Sequence, residues 1–329
     1  MTLVWIGFLL FIFAVLALDL GVFNRRDHIP SVREAMAFTV ATVVLALCFA
    51  GFVYFAYGNH WQGLGLHPDA VDGRTNDGYL AVVKFLTGYI VELSLSMDNV
   101  FVIALIFAHL RVPPKYQHRV LFWGILGALV MRGAMIAVGS ALVARYHWVM
   151  YLFGVFLVVT SIKMLWSKPK EESPEERWIV RWLNRHFRVT KEFHEQHFVV
   201  VRGGKKWITP LAVALVLVET TDLLFAVDSI PAIFAITTDP FLVFTSNVFA
   251  ILGLRSLYFG LAGLIAKFKY LNVSLAIILG LVGVKMLAAE QVARLLGDAQ
   301  NAVMLGGVLA ILLAGAGASV IAARRDPRR

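Results

Sequence analysis

Nine stretches of this chain are too long and too apolar to sit at a water interface: roughly residues 3–23, 36–57, 79–109, 120–143, 148–166, 208–237, 241–266, 271–289 and 301–322. A helix crosses the hydrocarbon of a bilayer with about 20 residues, and backbone polar groups in lipid must be satisfied within the segment. The fold class this dictates is all-α, a polytopic membrane protein with about nine transmembrane helices. Of the 329 residues, 59% are hydrophobic and 16% charged, where a soluble domain carries about a quarter charged. Disorder, a coiled coil and a disulfide-rich secreted scaffold are excluded. The one cysteine, Cys48, lies in an apolar run and can make neither an intramolecular disulfide nor a thiolate metal cluster. The first run has no basic residue before it and Arg25 and Arg26 after it, which is the flank of a retained span and not of a cleaved signal.

The basic residues set the expected orientation. With the N-terminus outside, the inner segments 24–35, 110–119, 167–207, 267–270 and 323–329 carry 22 of the 30 Lys and Arg. The outer segments carry three: Arg74, Arg145 and Arg294. Such asymmetry places the C-terminus in the cytoplasm. It also absorbs the formal charge of +9, so no nucleic-acid partner is expected.

The chain divides into 1–78 (two spans and an outer loop), 79–166 (three spans), 167–207 (a cytoplasmic loop), 208–289 (three spans) and 290–329 (a last span and a basic tail). In the loop, Ser173-Pro174-Glu175-Glu176 reads as a helix start. Trp178, Ile179, Trp182, Leu183 and Phe187 follow at helical spacing beside Arg177, Arg181, Arg185 and Arg188, as in a helix lying on the membrane surface. Arg202-Gly203-Gly204-Lys205 between apolar flanks predicts a hairpin. His194 and His197 have a ligand-like spacing, but a lone pair in a polar loop is ordinarily only solvated.

The two three-span blocks resemble each other. Glu92-Leu-Ser-Leu-Ser-Met-Asp98-Asn99 aligns with Asp222-Leu-Leu-Phe-Ala-Val-Asp228-Ser229 at an offset of 130, Ile125-Leu126-Gly127 with Ile251-Leu252-Gly253 at 126, and Ile162-Lys163-Met164-Leu165 with Val284-Lys285-Met286-Leu287 at 122. An odd number of spans per block makes the repeats inverted, an architecture of secondary transporters with midplane substrate sites. Lys163 and Lys285 are expected to snorkel.

Five carboxylates fall inside these spans: Glu92 and Asp98, then Glu219, Asp222 and Asp228. Each costs about 2.5–3.5 kcal/mol on the insertion scale and is therefore usually functional. The midspan bases available as partners are Arg132 and Arg255. On a helix, residues i and i+7 share a face, which groups Glu92 with Asn99 and Asp222 with Ser229. Asp98 and Asp228 lie about 120° away, so their convergence requires local unwinding, for which Pro231 offers a freed carbonyl. Asn247 and Thr245 are weaker candidates. The oxygen-only donor set suits Mg²⁺, Ca²⁺ or Mn²⁺.

These motifs, together with Val218-Glu219-Thr-Thr-Asp222, Ser229-Ile-Pro231-Ala-Ile-Phe, Thr237-Thr238-Asp239-Pro240-Phe241, Thr245-Ser246-Asn247 and Gly253-Leu254-Arg255, resemble the TerC family, closest to its Alx branch, over nearly the whole chain. The resemblance implies a bacterial inner-membrane protein linked to manganese efflux, alkaline-pH response and, by family name, tellurite resistance. It matches Glu92, Asp98, Asp222 and Asp228 to the family's intramembrane acids, with Glu219 as a further ligand, and it selects Mn²⁺ among the hard cations. The leading expectation is a non-enzymatic exporter of a divalent cation, exchanged for protons and without organic cofactor. A membrane assembly factor docking other membrane proteins through 167–207 is the alternative. An intramembrane aspartyl protease would use two aspartates, and five acids exceed what it needs.

Overall fold

The computed structural model describes residues 2–23, 32–166, 174–190, 192–261 and 270–325. Arg25, Arg26, Ser173, residues 267–269 and the tail 326–329, on which parts of the sequence reading rest, lie outside them. Each of the nine apolar runs forms a helix: α1 (Thr2–Phe23), α2 (Val32–Gly58), α3 (Gly78–His109), α4 (Pro114–Arg145), α5 (Trp148–Trp166), then, after α6 (Pro174–His186) and the strands β1 (Val199–Arg202) and β2 (Lys205–Ile208), α7 (Pro210–Phe234), α8 (Pro240–Leu261), α9 (Leu271–Leu287) and, past α10 (Ala289–Leu296), α11 (Gln300–Arg325). Seven are long and apolar enough to cross a membrane, and α1 and α9 contribute shorter apolar segments. Short α10, with eight residues, is too short to span a bilayer and links α9 to α11.

Local chemistry explains where the helices begin. Asp77 caps α3, its Oδ1 accepting from Leu80 N at 2.7 Å, and Asp239 does the same for α8 through Phe241 N at 3.0 Å. Pro114, Pro210 and Pro240 open α4, α7 and α8, where a missing N–H costs nothing. The expected hairpin is present, with Arg202 paired to Lys205. Gly203 and Gly204 turn it at φ of 57° and 70°, the left-handed values a two-residue turn requires.

The expected unwinding is absent. Both α3 and α7 run unbroken through their acidic motifs, and Pro231 sits inside α7 with helix on either side. Lys163 is exposed as expected, but Lys285 does not snorkel. It is 6% exposed and donates to Ala235 O and Asn301 Oδ1, each at 3.4 Å, so its ammonium is held by acceptors inside the bundle.

The helices pack around α8, which touches α2, α3 and α4 and is buried along almost all its length. Phe8, Phe49, Phe85, Phe241, Phe244 and Phe249 join α1, α2, α3 and α8 in one aromatic cluster, with Phe49 and Phe249 centroids 4.7 Å apart. Contacts between the trio α3, α4, α5 and the trio α7, α8, α9 are exchange-related: α3 meets α7, α4 meets α8, α5 meets α9, and the crossed pairs α3–α8 and α4–α7 both occur. The outer wall is apolar, with Val130 67% and Leu313 72% exposed, a surface that water would penalise and lipid does not. The chain is an integral, multi-pass membrane protein.

Candidate functional site

Four helices bring one guanidinium and two carboxylates together. Arg132 projects from α4 and is 2% exposed. Its Nε and Nη2 grip Asp222 of α7 as a fork, to Oδ2 at 3.2 Å and Oδ1 at 2.9 Å. Its Nη1 donates to Glu92 Oε1 of α3, to Asn247 Oδ1 of α8 at 2.9 Å and to Ser229 Oγ of α7 at 3.3 Å. Asn99 Nδ2 adds a bond to Asp222 Oδ1 at 2.8 Å. Of the expected residues, Glu92, Asn99, Asp222, Ser229, Asn247 and Arg132 therefore meet. The face periodicity explains this: Glu92 and Asn99, and likewise Asp222 and Ser229, are seven residues apart.

The cluster is not electrically balanced. Two carboxylates face one guanidinium, which leaves a formal charge of −1, and burial of an unbalanced ion is costly. Three buried oxygens on the same face of α3 also have no hydrogen-bond partner: Glu92 Oε2, Ser96 Oγ and Asn99 Oδ1. Buried acceptors are nearly always paired, so such a row calls for an explanation.

Other expected residues lie outside this set. Asp98 is half-buried on α3, turned about 120° from Glu92 by the regular helix. Asp228 of α7 accepts from Thr160 Oγ1 of α5 at 3.4 Å, with Lys163 of α5 within electrostatic reach. Because α3 and α7 do not unwind, Asp98 and Asp228 do not join Glu92 and Asp222, and the anticipated four-acid convergence is absent. Glu219 lies beside Asp222, its carboxylate packed against Gly127 of α4, where any Cβ would collide with it. Its Oε2 has no hydrogen-bond partner. Arg255, half-buried on α8, is not part of the Arg132 set. Thr245 bonds its own helix at Phe241 O, 2.7 Å away. Among the described residues no three His, Cys, Asp or Glu side chains gather as a metal cage, and His194 and His197 are no exception.

A second buried ionic cluster was not anticipated. Lys84, near the start of α3, is wholly buried and pairs with Asp69 at 2.9 Å and Asp72 at 2.8 Å and with Asn76 Oδ1 at 2.8 Å. Asp69 also accepts from Thr237 Oγ1, Thr238 N at 3.0 Å and Thr238 Oγ1 at 2.9 Å, and Asn301 donates to Asp72 at 3.0 Å. The loop 59–77 is thereby fastened to the α7–α8 turn and to α11. Burial alone would raise the Asp69 carboxyl, but Lys84 and the bonds from Thr237 and Thr238 hold it below the usual carboxylate range. A lysine inside an apolar run, two turns before Glu92, was the sequence signal for this cluster.

Comparison with known proteins agrees with this architecture. An uncharacterized membrane protein of Myxococcus xanthus is 49% identical over 282 residues, 86% of this chain and 82% of its own length. Proteins named Alx, for which a role as membrane-bound redox modulator has been suggested, are 42% identical in Salmonella typhi over 289 residues and in Escherichia coli K12 over 290, covering 88% of this chain and 86% of theirs. No solved structure matches. The profile of the integral membrane protein TerC family matches residues 78–326, and the chain belongs to that family.

Proposed function

We propose that this protein is a carrier, not an enzyme, that exports a divalent cation, Mn²⁺ by preference, through the site formed by Glu92, Asn99 and Asp222. The carrying observation is the row of donorless oxygens on α3 beside a carboxylate pair with a single positive partner. Carboxylate, amide and hydroxyl oxygens suit a hard cation, which needs several oxygen ligands and supplies the missing charge. Glu219, Asp98 and Asp228 would serve as flanking acids along the path, Glu219 being the nearest to Asp222. The exchange-related contacts of the two helix trios support an inverted repeat whose halves rock about this site.

The hairpin end of the bundle, with its basic residues, would face the cytoplasm of a bacterial inner membrane. Protons are the natural counter-cargo, since carboxylates that release a cation into a buried site must find another positive charge. Reconstituted into liposomes under an imposed pH gradient, the purified protein is expected to move Mn²⁺ and to discriminate among Mn²⁺, Mg²⁺ and Ca²⁺. Asp222→Asn, folded and inserted normally, should lower the Mn²⁺ flux at least about tenfold, a loss of about 1.4 kcal/mol or more. Flux equal to that of empty liposomes from the unaltered protein would sink the reading. It would favour an assembly role, for which α6 presents Trp178 and Trp182 outward.

A further inference from the structure

The Arg132 cluster holds a property that the transport reading does not require. We infer that Arg132 is a tethered counter-cation that sets the valence selectivity of the site, admitting divalent cations and refusing Na⁺ and K⁺. The inference rests on the export reading for its cargo, and on the geometry of one side chain for its content.

Three of the four carboxylate oxygens of Glu92 and Asp222 are held by Arg132: Glu92 Oε1 through Nη1, Asp222 Oδ1 through Nη2 and Asp222 Oδ2 through Nε. Only Glu92 Oε2 is left without a donor. A cation reaching the site therefore meets one open charged oxygen and must evict the guanidinium to obtain the rest. The guanidinium is always charged and matches a carboxylate with a planar fork. Being attached to α4, it also competes at the high effective concentration of an intramolecular group.

Charge decides the contest. With Arg132 in place the cluster carries −1. Replacing the guanidinium with Na⁺ or K⁺ returns −1, so the exchange gains no neutralisation and loses the fork. Replacing it with a divalent ion gives zero, and the doubled charge also repels the guanidinium more strongly as it approaches. Selection by valence thus follows from the presence of a single resident positive charge.

The repeat sharpens the assignment. Glu92 and Asp222 occupy matching positions of the two halves, but Arg132 has no counterpart. At the offset that aligns Ile125-Leu126-Gly127 with Ile251-Leu252-Gly253, the matching residue is Tyr258, and the residue matching Arg255 is Leu129. Ion pairing that followed the repeat would give each half a base at the matching position. Here one half supplies a lone cation that reaches both acids, which is what a displaceable occupant of a shared site requires.

The test is Mn²⁺ binding by calorimetry to the purified full-length protein in detergent, in about 150 mM N-methylglucamine chloride and again in NaCl or KCl. The unaltered protein should bind Mn²⁺ with affinities within about twofold in the three salts, whereas in Arg132→Gln Na⁺ and K⁺ should weaken Mn²⁺ binding by about tenfold or more. Arg132→Lys, which keeps the charge, should remain insensitive to the monovalent ions. If Arg132→Gln does not fold, the charge-balanced pair Arg132→Gln with Glu92→Gln takes its place, because it too leaves Asp222 without a resident cation, and the same sensitivity is expected. Mn²⁺ binding by the unaltered protein, with no gain of Na⁺ or K⁺ sensitivity in either variant, overturns the inference and leaves the transport reading standing. Absence of Mn²⁺ binding by the unaltered protein fails the transport reading itself.

Discussion

Among the described residues, two buried ionic clusters share α3, and they are built differently. Around Lys84 the ammonium donates to Asp69 and Asn76 and pairs with Asp72, and both carboxylates accept further hydrogen bonds from other segments. Lys285 and Asp239 also lie close enough to feel Asp69, and no oxygen of Asp69, Asp72 or Asn76 is among the buried side-chain atoms without a partner. Around Arg132 the charge is −1 and three oxygens have no donor. Eight residues separate Lys84 from Glu92, about 12 Å of helix, so the contrast is not one of depth in a different part of the fold. A satisfied cluster fastens segments together. An unsatisfied one retains capacity for something else, and the distinction rests on counting the oxygens left without a donor.

The largest effect expected from this contrast is on stability at the Lys84 cluster. Lys84→Met strands two buried carboxylates, and breaking a buried pair in this way costs about 3–5 kcal/mol. Thermal unfolding in detergent should show it, and a melting temperature equal to that of the unaltered protein would mean the Lys84 cluster fastens nothing. A smaller effect is expected from acid. The Asp69 carboxyl lies below its ordinary range in the folded protein, so its stabilisation is complete above an unfolded value of about 3.9 and is lost as the pH falls through the lower folded value. Melting temperature followed from neutral pH downward should therefore decline less steeply in Asp69→Asn than in the unaltered protein. Equal slopes would remove Asp69 from the ledger of the cluster. The smallest change is expected from Ser229→Ala, which deletes one bond of 3.3 Å to Arg132 and should cost no more than about 0.5–1.5 kcal/mol. A loss larger than that of Lys84→Met would reverse the comparison.

Much of this arrangement could be read in advance, for a physical reason. A span must be apolar over its whole length, so nine runs announced nine helices to within a few residues. A midspan arginine must find an anion, so Arg132 could be named in advance as a partner of intramembrane acids, whereas its choice of Glu92 and Asp222 depends on how α3, α4 and α7 pack. Asp98 and Asp228 were misplaced because their convergence required a broken helix, and spacing alone does not encode a break; Pro231 is accommodated inside α7. Lys84 was overlooked because its acidic partners lie in a loop with no periodicity to align them. The burial of Lys285 depends on Asn301 of α11 and Ala235 at the end of α7, which leave no trace in the local sequence.

α8 is the least hydrophobic of the seven long spans and the most enclosed, with 89% of its apolar window buried. It carries Thr245, Ser246 and Asn247, all inside the bundle. A segment with that composition is a poor guest of lipid by itself and is tolerated because its neighbours, rather than acyl chains, surround it. During synthesis, α1 to α5 already exist when α8 emerges, and α2, α3 and α4 supply most of its contacts. Insertion of this helix is therefore expected to depend on α2, α3 and α4 being in place to receive it, an order that the sequence of the chain provides.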